Sequence, residues 1–312
     1  MTVIKIVSRT QGNNAALKNG SVTADGFELQ FEEVPVLAQA FRRMVRELEF
    51  DVCEMALTTY LCAREHGVKF TALPIFLVRA FHHGAILHNI KSNTRDPADL
   101  RGNRVGVNRG YTVTTGVWAR SILQDEYGVD LSKITWVLSG DEHVEAYVPP
   151  PNVESVPAGQ TIEELLLEGD LAAAIGLSPD NSDIRPLIAE PLDAGFAAFK
   201  NRGHYPINHL IVVRNEVLDA HPGIAVAVFD AFTESKNRYL EQLQNGEITN
   251  PDCMDNLHAR MLESDIDPLP YGIAPNRGVL EDLIAHATTQ KIITQPIDVE
   301  SAFAPATRQL TG

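Results

Sequence analysis

Four short runs hold the side chains best suited to chemistry. In Asp51-Val-Cys53-Glu54-Met55-Ala-Leu-Thr58-Thr59-Tyr60, an acid sits inside a mostly apolar, strand-like stretch. An unpaired carboxylate is costly to bury, so Glu54 needs a partner, either Arg79 or a nearby histidine. Glu54 then acts as a general base, orients a histidine, or makes a structural ion pair. The second run, Leu77-Val-Arg79-Ala-Phe81-His82-His83-Gly84, follows an apolar strand. Alternation in extended chain puts Arg79, Phe81 and His83 on one face and His82 on the other. An imidazole beside a cation and an aromatic ring suits binding or proton transfer on an aromatic acid. The plainer reading is one histidine satisfied in the core and one at the surface.

The third run is Arg104-Val-Gly-Val-Asn108-Arg109-Gly110-Tyr111-Thr112-Val-Thr114-Thr115-Gly116. A strand is expected to end at Val107, a turn to hold Asn108, Arg109 and Gly110, and a helix to begin among the threonines. Unpaired N–H groups at a helix N-terminus, joined by hydroxyls and an arginine, make an anion site; helix capping beside a solvated arginine is the alternative. The run lacks both the P-loop and the Gly-x-Gly-x-x-Gly nucleotide turn. The fourth run, Arg202-Gly-His204-Tyr-Pro-Ile-Asn208-His209, adds two histidines. Four histidines with Glu54 would allow a divalent metal, but no His-Glu-x-x-His spacing supports one. Asp141-Glu142-His143 reads as a solvated loop. No Gly-x-Ser-x-Gly elbow or paired Cys-His signature supports nucleophilic hydrolysis.

These runs need a scaffold, and the chain is long enough for two lobes. Its 312 residues carry 26 Lys+Arg against 41 Asp+Glu, a net charge of −15. Such a surface argues against nucleic-acid and anionic-membrane partners, and an anionic ligand would need local cations. Three scattered cysteines, Cys53, Cys62 and Cys253, fit neither a disulfide framework nor a zinc site, and suit a reducing cytosol. The first residues carry no basic leader and no apolar run reaches membrane-spanning length, so a soluble cytoplasmic protein is expected. Strands are expected at residues 2–8, 50–55, 73–78, 85–89, 104–107, 134–138, 171–177 and 207–213. Helices are expected at 34–48, from Thr58 or Thr59 to His66, at 114–127, after a Thr161/Glu164 capping box, from about 223 to 243, and at 277–291. The four prolines of residues 147–160 mark an extended surface excursion. This alternation predicts an α/β fold with mainly parallel sheets, whose sites lie beyond the carboxyl ends of strands.

Phe50–Gly67, followed by Phe70-Thr-Ala-Leu-Pro-Ile-Phe-Leu-Val-Arg-Ala-Phe-His-His-Gly84, resembles the 4,5-dihydroxyphthalate decarboxylase family. The likeness continues through Gly106-Val-Asn-Arg-Gly-Tyr-Thr112, Tyr205-Pro-Ile-Asn-His-Leu210 and Pro270-Tyr-Gly-Ile-Ala-Pro-Asn-Arg277. It implies a two-lobed type 2 periplasmic-binding-protein-like fold with two crossover strands and a ligand cleft. One lobe would comprise residues 1–84 and 208–312, the other 85–207. It also implies non-oxidative loss of one carboxylate from a dihydroxylated phthalate, giving protocatechuate and carbon dioxide. On this basis Glu54 with a histidine partner serves the phenol, and His82 or His83 is the acid that protonates the ring. Arg79, Phe81, Asn108, Arg109, Tyr111, Thr114, Thr115, His204 and His209 bind the substrate. No cofactor is required, a divalent metal chelating the two hydroxyls being the alternative. The expected partner is a small aromatic carboxylate, with homo-oligomerisation left open. The rival readings are a non-catalytic aromatic-acid receptor and another small-molecule lyase on the same fold.

Overall fold

The computed structural model describes residues 1–312. The first sheet takes β1 (Thr2–Val7), β2 (Phe27–Glu32), β3 (Val52–Ala56) and β4 (Phe70–Arg79). The second takes β5 (Ile86–Asn89), β6 (Arg104–Val107), β7 (Thr135–Leu138), β8 (Val153–Ser155), β9 (Ala173–Ile175) and β10 (Ile184–Pro186). The chain then returns to the first sheet as β11 (Ile207–Arg214). The orders are β2-β1-β3-β11-β4 and β10-β5-β9-β6-β7-β8.

Side-chain chemistry accounts for where these strands lie. Every residue of β3 is buried, as befits an apolar strand inside a sheet, which leaves Glu54 as its one acidic side chain, and that must find a partner. β4 contains Pro74, which cannot donate to a ladder, and β4 is accordingly an edge strand. The Pro74 carbonyl accepts from Gly272 N–H at 2.8 Å, so the segment after residue 270 covers that edge. One cluster of 71 buried apolar side chains includes Ile6 and Ile211 of the first sheet and Val105 and Trp136 of the second, so the two sheets share packing.

Both sheets are mixed, a correction to the mainly parallel arrangement expected. β3–β11, β4–β11, β5–β9 and β5–β10 are antiparallel, because a strand that returns from a crossover runs back along its neighbour. β2, β8, β10 and the helix Pro191–Arg202 were not anticipated. β8 is three residues inside the proline-rich excursion, and only Gly195 of the helix is fully buried, so neither shows a strong apolar period. The Thr161/Glu164 capping box forms as expected, with Glu164 N–H donating to Thr161 Oγ1 at 3.2 Å.

A set of ion pairs ties the helix Leu37–Glu47 to the loop after β7. Arg42 lies 2.7 Å from Asp141 and Arg46 lies 2.7 Å from Glu145. Arg46 also donates to the carbonyls of Glu142, at 2.9 Å, and His143, at 3.2 Å. No helix is long and apolar enough to cross a membrane.

Candidate active site

β3 and β11 are neighbours, and their pairing brings Glu54 to His209. Glu54 Oε1 lies 2.7 Å from His209 Nδ1, and Oε2 accepts the backbone N–H of Arg9 at 2.9 Å. Both oxygens of this fully buried carboxylate are thereby satisfied, and the carboxylate fixes the imidazole through Nδ1. His209 remains partly open, its side chain 19% exposed, and its ring meets Phe41 edge-on at 5.2 Å. Phe41 also meets His143 at 6.1 Å, so one phenyl ring lies between two imidazoles.

His82, at the crossover after β4, is buried on Asn208. Asn208 Nδ2 donates to Thr115 Oγ1 at 3.3 Å, so Asn208 Oδ1 is the acceptor facing His82 Nε2 at 2.8 Å. Burial pushes His82 down to about 4, which leaves it neutral at pH 7 with its proton on Nε2. His83 points elsewhere, with Nε2 2.9 Å from Glu126, which caps the C-terminal end of the helix Thr114–Asp125. The adjacent histidines take different partners, but not through the alternation expected of extended chain: β4 ends at Arg79, and His82 (φ −104, ψ 4) leads into a short helical turn at His83–Ala85.

The run after β6 holds the arrangement least foreseen. The N–H groups of Tyr111 and Thr112 and the Thr112 hydroxyl, at 2.6 Å, all donate to Glu142. The loop expected to be solvated thus supplies the anion for a backbone nest that the sequence offered to a ligand, and His143 beside it is buried. A Cβ at position 110 would meet the Glu142 carboxylate and push it off these donors, so Gly110 lets the carboxylate sit close. Arg109 adopts φ 73 and is exposed. Asn108 bridges the Gly176 carbonyl, at 2.9 Å, and the Ser139 hydroxyl, at 3.1 Å. The helices Leu57–Glu65 and Thr114–Asp125 meet end to end, Thr58 N–H donating to Thr114 Oγ1 at 3.1 Å and Thr58 Oγ1 to the Thr112 carbonyl at 2.6 Å. Neither helix has a side-chain cap of its own, so their first turns face each other across the join.

Other candidates lie apart from the Glu54–His209 pair. Arg79 is buried and donates to the Tyr205 carbonyl at 2.9 Å, the Pro270 carbonyl at 3.1 Å and Asn276 Oδ1. Phe81 packs on Phe196 and Tyr205, with centroids 5.1 and 4.9 Å away. His204 binds Asp282 at 2.6 Å on the helix Arg277–Thr289. Tyr111 is buried under the guanidinium of Arg120, 3.9 Å from its ring centroid. No three His, Cys, Asp or Glu side chains form a group that could hold a metal ion. Sequence reasoning missed Asn208, Phe41 and Glu142. The rule that sites gather beyond strand ends points to Glu142, four residues past β7, but nothing local distinguishes Phe41.

His82, His143 and His258 are all buried and pushed down to about 4, each first by burial. An unfolded histidine protonates near 6.5, so between about pH 6.5 and 4 the unfolded chain binds protons that the folded chain refuses. Stability is therefore full above that window and falls as pH drops through it. The urea midpoint is expected to be clearly lower at pH 5 than at pH 7; an unchanged midpoint would contradict the neutral burial of these rings.

No family model matches the chain. A 4,5-dihydroxyphthalate decarboxylase of Comamonas testosteroni is 30% identical over 318 residues, covering 93% of this chain and 92% of that protein. One of Pseudomonas putida is 34% identical over 172 residues, 51% of this chain and 64% of that protein. Among solved structures, the Candida albicans CA3427 gene product, described as having the generic periplasmic binding protein fold, superposes with TM-score 0.57 at 12% identity over 100% of this chain and 99% of that one. The desulfurization enzyme DSZB gives 0.56 at 14% identity over 98% and 97%. The Escherichia coli aliphatic sulphonate binding protein SsuA gives 0.55 at 11% identity over 97% and 92%. At these identities the structural likeness concerns the fold, which is the two-lobed periplasmic-binding-protein-like α/β fold.

Proposed function

The chain belongs to the 4,5-dihydroxyphthalate decarboxylase family, and from that premise we propose that it is a carboxy-lyase converting 4,5-dihydroxyphthalate to protocatechuate and carbon dioxide. The observation that carries this reading is the buried Glu54 held against the accessible His209. The substrate lies between a lobe of residues 1–84 and 208–312 and a lobe of residues 85–207. Three free cysteines suit a cytoplasmic enzyme.

Each carboxylate of this substrate is para to a hydroxyl, which pushes electron density onto the carbon bearing that carboxylate. Protonation at that carbon breaks aromaticity; cleavage of the C–C bond then releases carbon dioxide, and its electron pair restores the ring. The proton needs a donor positioned at carbon. We assign it to His209, whose imidazolium would be paired with Glu54; the neutral ring left behind regains its proton from solvent. His82 or His83 was the expected acid, yet burial leaves His82 no proton to give beyond the one held on Asn208, and His83 is turned to Glu126. A neutral His82 instead suits accepting a hydrogen bond from a ring hydroxyl. Arg109 and the Thr115 hydroxyl, which accepts from Asn208 and keeps its own proton to donate, hold the retained carboxylate, whereas Thr114 is buried in the join with Thr58. A tight cation on the departing carboxylate would stabilise the ground state, so that group is left without one.

The test is incubation of the full chain with 4,5-dihydroxyphthalate, following protocatechuate and carbon dioxide. Stoichiometric formation of both is expected. Saturable binding without product would replace this reading with a receptor, and absence of both would remove the substrate assignment.

A further inference from the structure

Where the helix Leu57–Glu65 ends, the start of β4 and residues 301–308 enclose a cavity of about 310 Å³, a size that suits a small ligand. Its lining contains three cations, Arg64, Lys69 and Arg308, and no acidic residue. In a chain with 41 Asp+Glu against 26 Lys+Arg, so local an excess of positive charge runs against the composition. Lys69 is exposed and both arginines are half-buried, so all three charges can meet a ligand arriving from solvent. None of the groups assigned to decarboxylation lines this cavity.

None of the three cations pairs with a carboxylate. Arg64 spends only Nη2, on the Ser301 carbonyl at 3.2 Å and hydroxyl at 3.4 Å, and Arg308 only Nε, on the Phe303 carbonyl at 3.0 Å. The remaining guanidinium N–H groups and Lys69 Nζ have no partner in the protein. The acids nearest in sequence are engaged elsewhere: Glu65 accepts from Thr294 N–H at 2.9 Å, Asp298 from Ser301 N–H at 3.1 Å, and Glu300 pairs with Arg277. Arg64 lies in the last turn of its helix, where one cation offsets the carbonyl dipole. That need is met by Arg64 alone and leaves Lys69 and Arg308 without an internal role. Asn215, also in the lining, accepts the Thr71 hydroxyl proton on Oδ1 at 2.8 Å, so both its Nδ2–H groups stay free to donate.

We propose that this cavity is a second ligand site, one that binds a phosphate group, carried as inorganic phosphate or on a small phosphate ester. Arg64 and Arg308 present planar forks to two phosphate oxygens, Lys69 adds a point charge, and Asn215 Nδ2 donates to a further oxygen. Close to two negative charges and several acceptor oxygens on one group match three cations and an amide donor, whereas a single carboxylate would leave most of them unmet. The ligand would join the helix Leu57–Glu65, the start of β4 and the C-terminal segment through Arg64, Lys69 and Arg308.

The probes are inorganic phosphate and phenyl phosphate, titrated calorimetrically into the full chain at fixed ionic strength in a phosphate-free buffer. One saturable site is expected; tighter binding of phenyl phosphate would identify an ester as the ligand, and equal or weaker binding the free ion. Lys69→Gln and Arg308→Gln should each weaken the better probe about tenfold or more, while Arg109→Gln leaves it unchanged. Acetate should bind at least about tenfold more weakly than that probe. Absence of saturable binding by both probes, binding unaltered in Lys69→Gln and Arg308→Gln, or binding lost in Arg109→Gln overturns the site. Acetate bound as tightly as phosphate overturns the ligand class. If Arg308→Gln fails to fold, Lys69→Gln decides, because Lys69 is exposed and its charge has no partner to lose. Binding heat is read without turnover, so an inactive chain that binds phosphate would refute the decarboxylase reading and leave this site standing.

Discussion

His209→Gln is expected to lower kcat on 4,5-dihydroxyphthalate by about 10²–10⁴-fold, the usual loss when a positioned proton donor is removed. Glutamine keeps a polar head of similar reach but cannot deliver a proton to carbon. KM should change far less than kcat, because the carboxylate is assigned to Arg109 and Thr115. Glu54→Gln should fall between wild type and His209→Gln, since it keeps an acceptor for Nδ1–H and loses the charge that pairs with the imidazolium. Product formation under saturating substrate measures both. If His209→Gln turns over at near the wild-type rate, the acid lies elsewhere, and His82→Ala is the next variant to assay.

Arg120→Ala is expected to have the largest effect on stability, a loss of at least about 3 kcal/mol. Arg120 is fully buried and has no acidic partner, and burial draws its pKa down. Its Nε donates to Gln290 at 2.6 Å and Nη2 to the Tyr111 carbonyl at 2.7 Å, while the guanidinium covers the Tyr111 ring. Truncation strands two buried acceptors and opens a cavity at once. The same contacts hold the backbone whose N–H groups grip Glu142, so this arginine positions the turn after β6. Arg120→Met, which refills the volume without the hydrogen bonds, should recover part of the loss. Denaturant midpoints for the two variants decide this; a shift under about 1 kcal/mol for Arg120→Ala would show that the guanidinium is dispensable.

Much of the scaffold was legible because its elements carry local signals. β1, β3 and β4 are apolar runs, and the helices 37–47, 114–125 and 224–244 carry an apolar stripe that periodicity detects. β8 and β10 are three residues each, held by pairing with neighbours rather than by their own pattern. The need for a partner at Glu54 was also legible, since an acid in a buried strand is a local contradiction.

The sequence by itself determined that the chemistry-bearing residues cluster at strand ends and that Glu54 must be compensated. Those follow from strand patterning and burial cost, which act over a few residues. Only the tertiary structure decided which histidine Glu54 takes, because β3 and β11 are 155 residues apart at that contact and meet through sheet order alone. It also decided that Arg79 spends its charge on carbonyls and Asn276, that His82 is dry and neutral, and that Glu142 fills the nest after β6. Desolvation and hydrogen-bond satisfaction set each of these roles, and both depend on what the rest of the chain packs against the side chain.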